Sequence, residues 1–196
     1  ENINGIKSAR NAAEGAKDVQ VVITMLPDGE ILKKVAEEIL PIMTPGSILL
    51  DCSTVDVKST LKVANMASKF DVGSLDAPVS GGILGAEAGT LTFMVGGNEK
   101  DFNKTQELLD IMGQKSVLCG PAGSGQAVKI CNNMILGATM IATCEAFALA
   151  DKLNLSREKM FEVVSTSSGY SWSMNAYCPA PGVGPTSPSD NNYEPG

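Results

Sequence analysis

The chemistry of this sequence turns on one lysine. Lys129 follows two glycines, Gly123 and Gly125, and precedes an amide pair, Asn132 and Asn133. No other charge occurs until Glu145, so the helix predicted from this point to about residue 153 is apolar nearly all round. That is the pattern of a helix buried between other elements. A lysine in the early turns of such a helix meets the positive end of the helix dipole with little water around it. Both effects disfavour the ammonium form and lower its pKa. Asn133 lies four residues on and shares the same helical face, which places an amide beside the amine. A lysine that snorkels from a core helix to solvent is the plainer arrangement. The glycine approach, the amide pair and the unfavourable placement weigh instead toward an active-site amine. The chain contains no histidine, which removes the Ser-His and Cys-His nucleophile schemes. A lysine of depressed pKa is then a natural proton carrier near neutral pH.

A reacting lysine needs a substrate site beside it, and three strand ends supply candidates. Leu26 and Pro27, Ser53 and Thr54, and Ser80 with Gly81 and Gly82 each close an apolar run. In open parallel sheets ligands collect at the carboxyl ends of strands, and successive glycine N–H groups beside a serine hydroxyl suit a carboxylate. Any one of these ends alone is an ordinary turn. Three on one edge of one sheet indicate a crevice for a nucleotide and an acid. The run from Gly123 to Val128 superficially resembles a dinucleotide fingerprint. Its third glycine position is Val128, and no acidic residue ends a following strand about 20 residues on, so it is rejected as a phosphate loop.

The elements that position these residues alternate. Alanines and Ile6 at helical spacing predict a helix over 5–17, followed by a buried strand at 19–25. Asp28 is the predicted N-cap of a helix over 30–39, and a strand follows at 47–51. A helix over 56–70, a strand over 72–79 and a strand over 90–96 come next. Asn98 caps a helix running to Met112, and a last strand covers 115–119. This alternation indicates an α/β, doubly wound parallel sheet with an added, mixed edge. After Gly120 and Pro121 the pattern becomes all-helical, with the long helix and a second one over 156–165. Met134, Met140 and Phe147 read as core of the long helix, and 170–196 as a long irregular stretch.

Composition narrows the partners. The net charge of −7 offers no basic stripe for phosphates and argues against nucleic acid. Five cysteines without a CxxC pair form neither a zinc site nor a disulfide framework and suit a reducing compartment. The uncharged run 130–144 is shorter than the ~20 apolar residues that span a bilayer, so no membrane is expected, and no metal site is visible.

At these residues the sequence resembles the β-hydroxyacid dehydrogenases, and among them the members acting on 3-hydroxyisobutyrate. Residues 76–82 (DAPVSGG) resemble the family's substrate signature, and Gly123, Gly125, Lys129, Asn132 and Asn133 its catalytic-lysine motif. Residues 24–27 (TMLP), 51–54 (DCST) and 91–97 (LTFMVGG) are similar to further family segments. The segments 167–173 and 179–182 set the chain apart from semialdehyde reductases of the family. The resemblance implies a Rossmann-like NAD domain over 1–120, truncated at its N-terminus. It implies an all-α domain over 121–196, truncated at its C-terminus. It implies NAD-dependent oxidation of 3-hydroxyisobutyrate to its semialdehyde, as in valine breakdown. Carried over by position, Lys129 is the acid/base, and Ser80, Gly81 and Gly82 hold the substrate carboxylate. Asn133 orients lysine and substrate, while Leu26, Pro27 and Thr54 contact NAD. The whole protein is expected to be a homo-oligomer, cytoplasmic as in bacterial members or else in the mitochondrial matrix. The 196 residues alone are expected to be inactive. The alternatives are a tartronate or succinic semialdehyde reductase of the same family, and a non-catalytic scaffold on the same fold.

Overall fold

The structure, a computed structural model, describes residues 5–193. The chain divides into two compact units, Glu1–Ile130 and Cys131–Gly196. The division falls inside the long helix, beyond the composition change after residue 120.

The first unit is built on a six-stranded sheet. Strands β1 (Val21–Thr24), β2 (Ile48–Asp51) and β3 (Gly73–Asp76) are parallel and in register, so Thr24, Asp51 and Asp76 end side by side. The short β4 (Val79–Ser80) extends the line of β3, and both pair antiparallel with β5 (Leu91–Gly96). β6 (Gly113–Gly120) then runs parallel to β5. The added edge is therefore mixed.

Alternation along β2 shows why helices cover both faces. Leu49 packs with Leu32, Ala36 and Ile39 of α2 (Gly29–Ile39) and Val63 of α3 (Val57–Ala67). Ile48 and Leu50 point the other way, into a cluster with Leu75, Phe93, Val95 and Leu109 of α5 (Glu99–Met112). The helix starts follow side-chain capping. Asp28, Asp56 and Asn98 each accept a backbone N–H three residues on, satisfying donors that the helix itself leaves orphaned.

Three local expectations need correction. The helix predicted over 5–17 is one turn, α1 (Ala12–Gly15), capped by Asn11, because the alanine spacing before it has no buried surface to pack against. β1 is only partly buried, with Ile23 exposed. A short helix, α4 (Gly82–Glu87), follows directly on Ser80 and Gly81, where the sequence suggested only a turn.

The second unit holds most of α6 (Ser124–Lys152), with α7 (Arg157–Val164) and α8 (Trp172–Asn175). Its core joins Phe147 and Ala150 to Met160, Met174, Cys178 and Val183. The irregular tail is pinned rather than loose. Ser187 and Ser189 donate to the Cys178 carbonyl at 2.7 and 2.9 Å. Asp190 accepts from the N–H groups of Gly182 and Ser187.

α6 departs most from expectation. Phe147 is buried, but Met140 is only half-buried and Met134 is 70% exposed, as are much of Ile135, Ile141 and Leu149. Within the second unit nothing among the described residues covers those apolar side chains. By length and composition α6 also meets the requirement for a membrane-crossing helix, which the shorter uncharged run did not suggest.

The start of α6 is instead tightly seated. A Cβ on Gly125 would stand 2.5 Å from the Asp76 carbonyl oxygen and closer still to that of Met94. Only glycine lets the helix approach the strand so closely. Gly125→Ala in the full chain is expected to cost about 1–3 kcal/mol or more by overpacking against backbone. An unchanged denaturant midpoint for this variant would show that the approach is not tight.

Candidate functional site

The site is assembled at the carboxyl ends of β1 to β4, within the first unit. Leu26 is half-buried, and Pro27 and Thr54 are exposed just beyond the ends of β1 and β2. The two ends are tied together. The Leu26 N–H donates to Ser53 Oγ at 2.8 Å, and Ser53 Oγ donates to Asp51 Oδ1 at 2.6 Å. Thr24 Oγ1 donates to the same carboxylate oxygen at 2.7 Å. A hydrogen-bonded chain thus fixes the turn carrying Leu26 and Pro27 relative to the loop carrying Thr54.

The third strand end holds α6. Asp76 accepts from the N–H groups of Gly123 (2.7 Å) and Gln126 (3.0 Å). A carboxylate at a helix N-terminus gains from charge-assisted bonds and from the dipole. Gly123 reaches this position with φ +88°, in the left-handed region that favours glycine. Three residues past Gln126, Lys129 Nζ donates to the Val79 carbonyl at 2.6 Å. Its neighbour Ser80 is half-buried, and Gly81 and Gly82 are exposed with φ of +136° and +63°. The structure therefore brings Lys129 beside the strand carrying Ser80. The Gln126 side chain, donating to the Ser53 carbonyl and accepting from the Val55 N–H, ties the loop carrying Thr54 to the same helix start.

Asn133 stands apart from that network. It lies on the part of α6 in the second unit, is exposed, and accepts from Asn132 Nδ2 at 3.2 Å. The amide expected beside the lysine amine is thus engaged by its own neighbour, and Val79 supplies the amine's acceptor.

Burial sets the electrostatics. Lys129 is half-buried, and desolvation holds its ammonium below the ordinary lysine range. Asp51 and Asp76 are 4% and 2% exposed. Burial pushes both carboxyls up, against the lowering effect of their hydrogen-bond donors, and the Asp76 charge raises Asp51 further. Asp51 Oδ2 has no partner among the described residues. Cys52 is driven up to about 12 by burial and by Asp51, so its thiol stays protonated and is no nucleophile. Among the described residues no group of three or more Cys, Asp or Glu side chains could hold a metal ion.

The sequence reading missed three residues of this arrangement: Asp51 and Asp76, quoted only inside motifs, and Gln126. No local signal marked Gln126, because the groups its side chain pairs with lie at residues 53 and 55.

Two family models match successive parts of the chain. Residues 1–120 match a family model described as the NAD binding domain of 6-phosphogluconate dehydrogenase. Residues 123–195 match one described as NAD-binding of NADP-dependent 3-hydroxyisobutyrate dehydrogenase. The mitochondrial 3-hydroxyisobutyrate dehydrogenase of Mus musculus is 43% identical over 195 residues, covering 98% of this chain and 58% of the relative. The 3-hydroxyisobutyrate dehydrogenase of Pseudomonas aeruginosa is 41% identical over 196 residues, covering 98% and 65%. A solved structure of the Mycobacterium tuberculosis 3-hydroxyisobutyrate dehydrogenase with L-serine superposes with a TM-score of 0.89 at 43% identity. It covers 96% of this chain and 65% of that one. The chain spans less than two thirds of the length of these relatives.

The buried carboxylates make a pH prediction. A carboxyl raised in the folded state adds stability below its unfolded pKa of about 3.9. That contribution is lost as pH rises through the raised folded value. Asp51→Asn keeps an acceptor for Thr24 and Ser53 but removes the charge. The variant's Tm is expected to fall less between pH 4 and pH 8 than that of the unmodified protein. Parallel Tm curves for the two would remove Asp51 as a source of strain.

Proposed function

We propose, because the chain belongs to the β-hydroxyacid dehydrogenase family, that the whole protein oxidises 3-hydroxyisobutyrate to methylmalonate semialdehyde with NAD. The observation that supports this reading best is Lys129. It is a partly desolvated amine held at 2.6 Å from a carbonyl next to Ser80. A non-catalytic scaffold has no use for such a group.

The residues at the strand ends fit a dinucleotide. Leu26 and Pro27 offer an apolar edge, and Thr54 an exposed hydroxyl, on turns fixed by the Ser53 and Asp51 hydrogen bonds. When bound, NAD supplies the hydride acceptor. Lys129, in its neutral form, takes the proton from the substrate hydroxyl, which raises electron density on the carbinol carbon as the C–H bond breaks. Desolvation, which lowers its pKa, favours that neutral form. Ser80 and the N–H groups of Gly81 and Gly82 hold the substrate carboxylate. Asn133, four residues along the same helix, orients the substrate in this reading. Relatives come from bacteria and from mitochondria. We place this protein in the cytoplasm, away from membranes, and read it as a homo-oligomer, since apolar residues such as Met134 and Ile135 favour association when exposed.

Lys129→Ala in the full protein is expected to lower kcat by about 10²–10⁴-fold while leaving NAD affinity intact. Wild-type turnover by that variant would remove Lys129 from the reaction. Ser80→Ala is expected to raise KM for the hydroxy acid, by roughly 1.5–3 kcal/mol if the hydroxyl bonds a carboxylate. Steady-state kinetics with 3-hydroxyisobutyrate and with an alcohol lacking the carboxylate decide it, because only the acid should suffer.

A further inference from the structure

We infer that Gln126 is a positioning residue that couples the dinucleotide loop after β2 to the lysine turn of α6. The inference rests on the dehydrogenase reading but on different atoms. Gln126 is 0% exposed, which is unusual for a long polar side chain. Its Nε2 donates to the Ser53 carbonyl at 2.7 Å, and its Oε1 accepts from the Val55 N–H at 3.1 Å. One amide therefore pins both peptide groups that flank Thr54, and only one orientation of the amide satisfies both partners. The backbone N–H of the same residue donates to Asp76 Oδ2 at 3.0 Å. Three residues later on the same helical face is Lys129, bonded to Val79. Gln126 thus joins the end of β2, the end of β3 and the first turns of α6 through one side chain and one N–H. No shorter or singly functional side chain can replace it. Asn lacks a methylene of reach, Leu can neither donate nor accept, and each leaves a buried peptide group unpaired.

The test compares Gln126→Leu with Leu109→Ala, a core truncation on α5 that also costs stability but removes none of the site's hydrogen bonds. Both are made in the full protein. Gln126→Leu is expected to raise both the Kd and the KM for NAD on the order of tenfold, since orphaned buried peptide groups shift the loop. Leu109→Ala is expected to lower Tm with neither constant changed. In the NAD-free protein, the pH midpoint for acetylation of Lys129, read by peptide mass spectrometry, should rise in Gln126→Leu toward that of an ordinary lysine. If Gln126→Leu only lowers Tm, with NAD constants and the Lys129 midpoint unchanged, the positioning role is wrong. If the unmodified protein binds no NAD, the dehydrogenase reading fails. The Lys129 midpoint then still decides whether Gln126 sets the lysine turn.

Discussion

The structure of the site depends on a single carboxylate. Asp76 sits at the end of a central strand and takes two N–H groups from the start of α6. Helix starts have unpaired donors that cost free energy when buried. Here they are satisfied by a different segment of the chain rather than by a local cap. The bond pair fixes where α6 begins and in which direction its first turns point. The position of Lys129 follows from that. Gly125 must lack a side chain because the approach is too close for one, and Gly123 must adopt a left-handed φ to deliver its N–H. The two glycines that looked like phosphate-loop residues serve the carboxylate of the chain itself.

Burying that carboxylate has a cost, which is visible in Asp51. The two acids end neighbouring strands in register, and each is pushed up by burial. Asp51 answers with three donors on one oxygen, from Thr24 and from the N–H and hydroxyl of Ser53. The polar chain that results ties Leu26 to Ser53. Charge burial and loop positioning are therefore one arrangement, with a stability cost that the apolar clusters on both faces of the sheet offset.

Much of this was legible in the residues. The capping residues Asp28 and Asn98 announced their helices, and apolar runs bounded by turn residues located the strands. The strand ends carrying Leu26, Thr54 and Ser80 followed from those boundaries. What failed did so for physical reasons. Alanine spacing over 5–17 satisfied a helical period, but period alone does not supply a surface to pack on, and one turn formed. The apolar character of α6 predicted burial, yet exposure depends on what lies against a helix, which its own sequence does not encode. Gln126 and Asp76 escaped because their partners are distant in the chain. A buried amide bonded to residues 53 and 55 has no local signature.

The hydrogen bond from Lys129 to Val79 has a mechanical consequence. Val79 and Ser80 are consecutive residues, so the carbonyl that tethers the amine and the hydroxyl assigned to the substrate belong to adjoining peptide units. Thermal breathing of that strand end carries both groups along together. The spacing between that carbonyl and the hydroxyl is set by covalent geometry across one residue, and the amine joins them through a single hydrogen bond. A shift of the strand end moves the amine's acceptor together with the hydroxyl, so the two polar groups stay neighbours for as long as that hydrogen bond holds.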